Sequence, residues 1–230
     1  MRKPLIIVFI ILLIDQIIKI YVKTHFTLGI GNDYQLAGDW AMIHFIENPG
    51  MAWGLELGGE YGKLFLTIFR IIAVCGIAYY LWSLVKKQED KLYIVCIALI
   101  FAGALGNIID SVFYGVLFSD STMELARFMP EEGGYAPLLY GNVVDMFYFP
   151  IFRGYFPSWF PIWGDESFEF FSPVFNFADF SISAGVAMII LYQKRFFGKK
   201  EEASPAAPDS AADQVDVPAS ADPTIEEVSQ

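Results

Sequence analysis

Four apolar runs limit what this chain can become. Residues 4–22, 64–85, 92–118 and 174–197 each approach or exceed the ~20 residues that an α-helix needs to cross a hydrocarbon core. Together they predict a mainly α membrane protein of four transmembrane helices. Over the 230 residues, 55% are hydrophobic and only 18% charged, a ratio that soluble domains of this size seldom show. The first run follows Arg2 and Lys3, as a signal peptide would. Its apolar character continues past Asp15 to Tyr21 and Val22 without a small-x-small cleavage pattern, which predicts a retained span.

Basic residues orient the spans. Arg2, Lys3, Lys86, Lys87, Lys91, Lys194, Arg195, Lys199 and Lys200 fall on one side, against Lys23, Lys63, Arg127 and Arg153 on the other. The positive-inside rule then places both termini in the cytoplasm and the loops 24–62 and 119–173 outside. Those loops supply a small extracytoplasmic β-sheet: residues 41–46 and 142–148 have strand-like content. Residues 155–171 hold Trp159, Trp163, Pro157 and Pro161 and predict an interfacial aromatic segment lying on the membrane surface. Residues 119–139, with Glu131-Glu132-Gly133-Gly134, are expected to be a mobile insertion. Residues 1–200 thus form the membrane domain.

The net charge of −11 comes mostly from residues 201–230, which hold eight acids and no Lys or Arg. This Ala-, Pro- and Ser-rich stretch is predicted to be a disordered acidic cytoplasmic tail. No basic patch points to nucleic acid. Cys75 and Cys96 sit in separate apolar runs at depths that differ by roughly 7–8 Å, so they are expected to be unbridged, small buried hydrophobes. His25 and His44 stand alone, without HExxH or paired cysteines, so neither a metal nor another cofactor is expected.

The polar residues inside the spans are the functional candidates, because a carboxylate at membrane depth is destabilising unless paired, hydrated or neutral. Asp15 and Lys19 are four apart on one helix face, the spacing of an internal ion pair. Asn107 and Asp110 lie in the outer half of the third run, and Asn176 and Asp179 open the fourth. Asp145 sits in the outer loop shortly before the chain returns to the membrane. Four segments therefore send acids and amides to one outer level. Two carboxylates sharing a site hold one proton between them and can activate water while polarising a carbonyl. Asp15, Asp110, Asp145 and Asp179 are the candidates, and spacing alone leaves the choice open. The competing reading is a small multi-pass transporter or channel component with acids lining a polar pathway. It requires polar residues through the inner halves of the spans, which are almost entirely apolar.

Five ordered motifs narrow the field. Asp15-Gln16-Ile17-Ile18-Lys19, Asn48-Pro49-Gly50-Met51-Ala52-Trp53-Gly54, Gly103-Ala104-Leu105-Gly106-Asn107-Ile108-Ile109-Asp110, Val143-Val144-Asp145 and Phe175-Asn176-Phe177-Ala178-Asp179 resemble those of lipoprotein signal peptidase, the signal peptidase II family, across about residues 4–197. The resemblance implies an aspartic intramembrane endopeptidase of the bacterial inner membrane. Its expected partners are membrane lipids and a diacylglyceryl-modified prolipoprotein, cut just before the lipidated cysteine, and the chain is expected to act as a monomer. By the same matching, Asp145 and Asp179 would be the catalytic pair. Asp15, Lys19, Asn48, Gly54, Asn107, Asp110 and Asn176 would support the site or bind substrate. The family's third motif usually ends in Asp-Arg, whereas Ser111 follows Asp110 here. Arg70, roughly 9 Å deep in the second run, is expected to supply that cation, pairing with Asp110 or steadying the loop that carries Asp145.

The tail is expected to be dispensable. Truncation after Lys200 should leave prolipoprotein cleavage in detergent unchanged, and a large loss of activity would mean that the tail docks on the body.

Overall fold

A computed structural model describes residues 2–29, 33–38, 40–49, 59–150, 152–170 and 173–198. Gly54 and the acidic tail, 201–230, lie outside the described residues. Each apolar run of the sequence forms helix. The first is α1 (Arg2–His25) and the second α2 (Gly59–Lys86). The third is α3 (Lys91–Ile109), capped by the Asp90 carboxylate on the backbone N–H groups of Leu92 and Tyr93. It continues through a π-helical turn (Asp110–Tyr114) into the short α4 (Gly115–Leu117). The fourth run is divided, with α5 (Phe177–Leu191) separated from α6 (Gln193–Phe197) at Tyr192. At ~1.5 Å per residue α5 alone covers only about 22 Å, so the other three are the helices long enough to cross a membrane unaided. Outward-facing Leu5, Phe9, Leu13 and Ile17 on α1, and Phe65, Phe69 and Ile72 on α2, give the bundle an apolar exterior suited to lipid.

Among the described residues, six short strands form between the helices: β1 (Tyr34–Ala37), β2 (Ala41–Asn48), β3 (Val143–Tyr148), β4 (Phe152–Tyr155), β5 (Ser167–Phe170) and β6 (Val174–Phe175). Four of them build one antiparallel sheet in the order β1-β2-β3-β6. The register sets Ile46 opposite Asp145 and Asn48 opposite Val143, with an irregularity in β2 between Ile43 and Ile46. It also sets Phe147 opposite Phe175. The returning β6 therefore hands the chain into α5 right beside the strand that carries Asp145. Residues 155–171 were expected as one surface-lying segment; between 152 and 170 the chain forms a β4–β5 hairpin. Pro157 and Pro161 fall in the turn region between its strands, where a missing N–H costs no ladder bond. Phe156 packs against Phe160, Trp163 and Phe168 at ring distances of 5.1, 6.1 and 4.8 Å.

Two apolar cores divide the domain. One joins the sheet to the outer helix ends through Val22, Phe45, Tyr114, Phe118, Val144 and Met146. The other fills the opposite half of the bundle with Val8, Leu81, Leu84, Ile97 and Ala102. Cys75 and Cys96 are unbridged, as expected, but Cys75 faces outward and only Cys96 is buried. Residues 119–139 depart from the mobile insertion that their composition suggested. Met129, Tyr135 and Ala136 donate their backbone N–H groups to the carbonyls of Leu117, Phe118 and Gly115. The segment thus satisfies acceptors that the end of α4 leaves open, and Ala126 enters the outer core.

A buried ion pair fastens this segment to the sheet. Lys23, fully buried at the end of α1, pairs with Glu47 of β2 and donates to Ser121 Oγ at 2.8 Å. Its ammonium also lies 4.8 Å from the Tyr135 ring centre. Glu47 accepts further bonds from Ser121 and from Asn142, and Asn142 in turn accepts from Lys63 of α2. Removing one partner strands a buried charge, which typically destabilises by about 3–5 kcal/mol. Lys23→Met should therefore lower the midpoint of thermal unfolding in detergent by roughly 6–12 °C or more, and adding Glu47→Leu should recover part of the loss. An unchanged midpoint for Lys23→Met alone would show that the pair does not fasten the fold.

Candidate active site

The site grows from the charges on α1. Asp15 and Lys19 sit one turn apart and form the ion pair that their spacing predicted, at 3.0 Å with both side chains buried. The Lys19 ammonium also contacts Asp110 Oδ2 at 2.8 Å and donates to Asn107 Oδ1 at 2.8 Å. All three of its N–H donors are thereby engaged by three different side chains. Asp15 reaches across to α5, where its Oδ1 accepts from the Ala178 N–H at 2.9 Å, one of the open donors of a helix start. Such a close approach needs small residues on α3. A Cβ on Gly103 would collide with the Ala178 carbonyl, and one on Gly106 would come within 2.7 Å of Asp15 Oδ2.

Asp110 begins the π-helical turn, a feature frequent at functional sites. Its Oδ1 accepts from Gln16 at 3.0 Å and its Oδ2 from the Val144 N–H at 3.3 Å. It therefore links α3 to the strand residue next to Asp145. Ser111, where an arginine is usual in the resembling motif, is buried and donates to the Asn107 carbonyl at 3.0 Å. The cation against Asp110 is Lys19 of α1. Of the two roles expected for Arg70, the position facing the acids is the one on view: Arg70 of α2 lines a groove with Asp179 and lies within electrostatic range of Asp179 and Asp145.

Two asparagines connect this charged base to the remaining acids. Asn107 accepts from Lys19 through Oδ1, so its amide nitrogen points the other way and donates to Asp179 Oδ1 at 2.8 Å. The neighbouring ammonium, which only donates, dictates that orientation. Asn176 is the N-cap of α5. Its Oδ1 accepts from the Asp179 N–H at 2.9 Å, and its own N–H donates to Asp179 Oδ2 at 3.3 Å, a reciprocal capping box. Its amide nitrogen donates to Asp145 Oδ1 at 2.6 Å and to Asn107 Oδ1 at 3.0 Å. Asp145 Oδ2 accepts from Asn48 of β2 at 3.2 Å. Asn176 thus contacts both acids.

Asp145 is only 3% exposed. Burial pushes its carboxyl up to about 7, and the nearby Asp179 adds to that shift, against smaller opposing effects of Asn48, Lys19 and Asn176. Such a group exchanges its proton near neutral pH, beside a second acid. Asp179 also lines a groove of about 280 Å³ with Arg70 and Val74 of α2, Ala104 and Asn107 of α3, and Ile182 of α5. Its remaining lining, Ala73, Ile77 and Ile108, is apolar.

Of the residues expected from the sequence, Asp15, Lys19, Asn48, Asn107, Asp110, Asp145, Asn176 and Asp179 join one connected network, and Arg70 lies on its groove side. Sequence reasoning missed Gln16, which donates to Asp15, Asp110 and the Gly106 carbonyl and accepts from Tyr114. It also missed the Lys23–Glu47 pair. The spacing held a signal for it, since Asp15, Lys19 and Lys23 recur every fourth residue along one helix face.

Comparison with known proteins agrees with this arrangement. The family model described as signal peptidase (SPase) II matches residues 7–195. A lipoprotein signal peptidase of Porphyromonas gingivalis is 51% identical over 186 residues, which cover 80% of either chain. One from Amoebophilus asiaticus is 37% identical over 77% of this chain and 72% of the relative. Among solved structures, a bacterial membrane enzyme determined in meso at 1.9 Å matches with a TM-score of 0.54 at 27% identity, covering 84% of this chain and 93% of that one. A second, at 2.3 Å, has a TM-score of 0.55 and 24% identity and shares the fold. The chain belongs to the signal peptidase II family, aspartic-type membrane peptidases that process lipoproteins.

Proposed function

We propose that Asp145 and Asp179 are the catalytic pair with which this peptidase removes the signal peptide from diacylglyceryl-modified prolipoproteins, cutting just before the lipidated cysteine. The observation that carries this assignment is Asn176 at the N-cap of α5: its side-chain amide donates to the Asp145 carboxylate and its backbone N–H to the Asp179 carboxylate, beside a groove that Asp179 lines. In the reactive form one proton is shared, and the position of Asp145 favours its holding that proton. Asp179 takes a proton from the attacking water while Asp145 donates to the scissile carbonyl, giving a neutral tetrahedral diol. Breakdown cleaves the C–N bond as Asp179 gives its proton to the leaving nitrogen and Asp145 takes one from a diol hydroxyl, which restores the starting pair. Asn107, Asn176 and Asn48 hold the two carboxyls in place without competing for the proton, because amides do not titrate here.

Membrane placement supports the same reading. The bundle end opposite the sheet carries Arg2, Lys3, Lys86, Lys87, Lys91, Lys194 and Arg195, and the positive-inside rule supports a cytoplasmic side there in an inner-membrane protein with both termini cytoplasmic. The site then opens at the outer leaflet, where the acyl chains of a lipidated substrate lie. All the supporting residues described above come from one chain, so a monomer suffices for this reading. The core of the inner half, with Val8, Leu84 and Ile97, offers no polar pathway of the kind a transporter requires.

Four outcomes are expected. Asp145→Asn and Asp179→Asn should each insert normally yet lose cleavage of a diacylated prolipoprotein by at least about 100-fold, the range of acid–base contributions; appreciable turnover by either would remove the assignment. Cleavage should survive prolonged chelation. Because burial and the neighbouring acid push the Asp145 carboxyl up to about 7, raising the pH through that value removes the proton it donates, so kcat/KM should fall on the alkaline side with an apparent pKa near 7. A profile flat to pH 9 would contradict this. The Arg70 cation favours carboxylate over carboxylic acid, so Arg70→Leu should lower kcat/KM and move that alkaline limb to higher pH.

A further inference from the structure

The end of the bundle farthest from the sheet holds a second recess that the peptidase reaction does not use. The start of α1, the end of α2 and the start of α3 enclose a cavity of about 520 Å³. Its walls are apolar, from Ile7, Val85, Ile94 and Val95, whereas Arg2, Lys3 and Lys91 stand at its rim. A smaller cavity of about 250 Å³ adjoins it and shares Pro4 and Val85 as common wall; Leu5, Trp82 and Phe101 line the remainder. Lys86 lies 5.1 Å from the Trp82 ring centre, at the edge of this second cavity.

Charge sets what can occupy the pair. Among the described residues, Arg2, Lys3 and Lys91 make no ion pair. Asp90, the acid nearest in sequence to Lys91, is already engaged by Arg195 at 2.8 Å and by the first N–H groups of α3. Glu89 is exposed at the helix turn. Three cations over two adjoining apolar grooves complement one molecule with an anionic head and two hydrocarbon chains. A soluble anion would leave the grooves empty. An uncharged lipid would leave the cations without a counter-charge.

We propose that this recess binds an anionic phospholipid of the leaflet opposite the sheet, its phosphate on Arg2, Lys3 and Lys91 and its acyl chains in the two grooves. A basic pocket between helices at a membrane surface is a physically favourable place for such a headgroup. The site is separate from the acids and does not depend on the peptidase assignment. Its occupancy would tie the start of α1, and with it the helix that carries Asp15 and Lys19, to the α2–α3 turn.

Native mass spectrometry of the delipidated full-length protein in detergent tests the proposal, with phosphatidylglycerol, phosphatidylethanolamine and inorganic phosphate as separate probes. One phosphatidylglycerol should bind in preference to phosphatidylethanolamine and raise the unfolding midpoint, and inorganic phosphate should do neither. Arg2→Gln/Lys91→Gln should weaken that binding on the order of 10- to 30-fold. Lys87→Gln/Lys194→Gln, which removes the same charge away from the cavity, should leave it unchanged. Val95→Trp, which fills the groove without altering charge, should weaken it as well. Equal loss in the two charge variants, equal binding of the two lipids, phosphate acting as well as lipid, or undiminished binding by Val95→Trp would each overturn the site.

Discussion

A single buried ammonium governs the arrangement of the buried acids. Lys19 carries a charge into the protein interior, where desolvation costs several kcal/mol per ion unless the partners are well placed. It is met by two carboxylates and an amide oxygen, and those three acceptors come from α1 and α3. Two acids beside one base still leave an excess of negative charge. Gln16 and the backbone N–H groups of Ala178 and Val144 offset that excess, and they belong to α1, α5 and β3. Meeting the electrostatic needs of Lys19, Asp15 and Asp110 therefore brings three helices and the central strand to one point. No buried side-chain polar atom among the described residues lacks a partner, as such a cluster requires.

The same cluster transmits direction. An asparagine amide can sit either way round, and an unsupported Asn107 could present its oxygen or its nitrogen to Asp179. The Lys19 ammonium removes that freedom, because it can only donate. Asn107 then offers its nitrogen to Asp179 and its oxygen to the Asn176 amide, which directs another Asn176 N–H to Asp145. The charge on α1 is thus converted into an ordered set of donors around the acids. The sheet completes the geometry by seating β6 beside β3, so that acids separated by 34 positions in sequence, Asp145 and Asp179, reach one asparagine.

Much of this was legible in the sequence because burial of polar groups in an apolar setting is rare. Asp15, Lys19, Asn107, Asp110, Asn176 and Asp179 stand out against uncharged neighbours, and their heights follow from helix rise. The two main strands were legible from their β-branched and aromatic content. The hairpin at 152–170 was not, because its prolines suggested irregular chain while they occupy only its turn. Residues 119–139 looked mobile from glycine and charge, yet they are fixed by carbonyls at the end of α4 that no local pattern reveals. Lys23 was assigned to the outer surface as a flanking cation, since burial of a lysine becomes visible only once Glu47 and Ser121 are brought to it. The break at Tyr192 and the π-helical turn likewise depend on packing rather than on composition.

The claim on which the account turns is that Asp145 holds a proton near neutral pH beside the Asp179 carboxyl. Infrared difference spectroscopy of the purified protein, titrated from pH 5 to pH 9, observes that proton directly through the carbonyl stretch of a carboxylic acid. The account predicts a band that disappears with a midpoint near 7 and is missing from Asp145→Asn. A band that persists unchanged in Asp145→Asn, or the absence of any carboxylic acid titrating in that range, would contradict it.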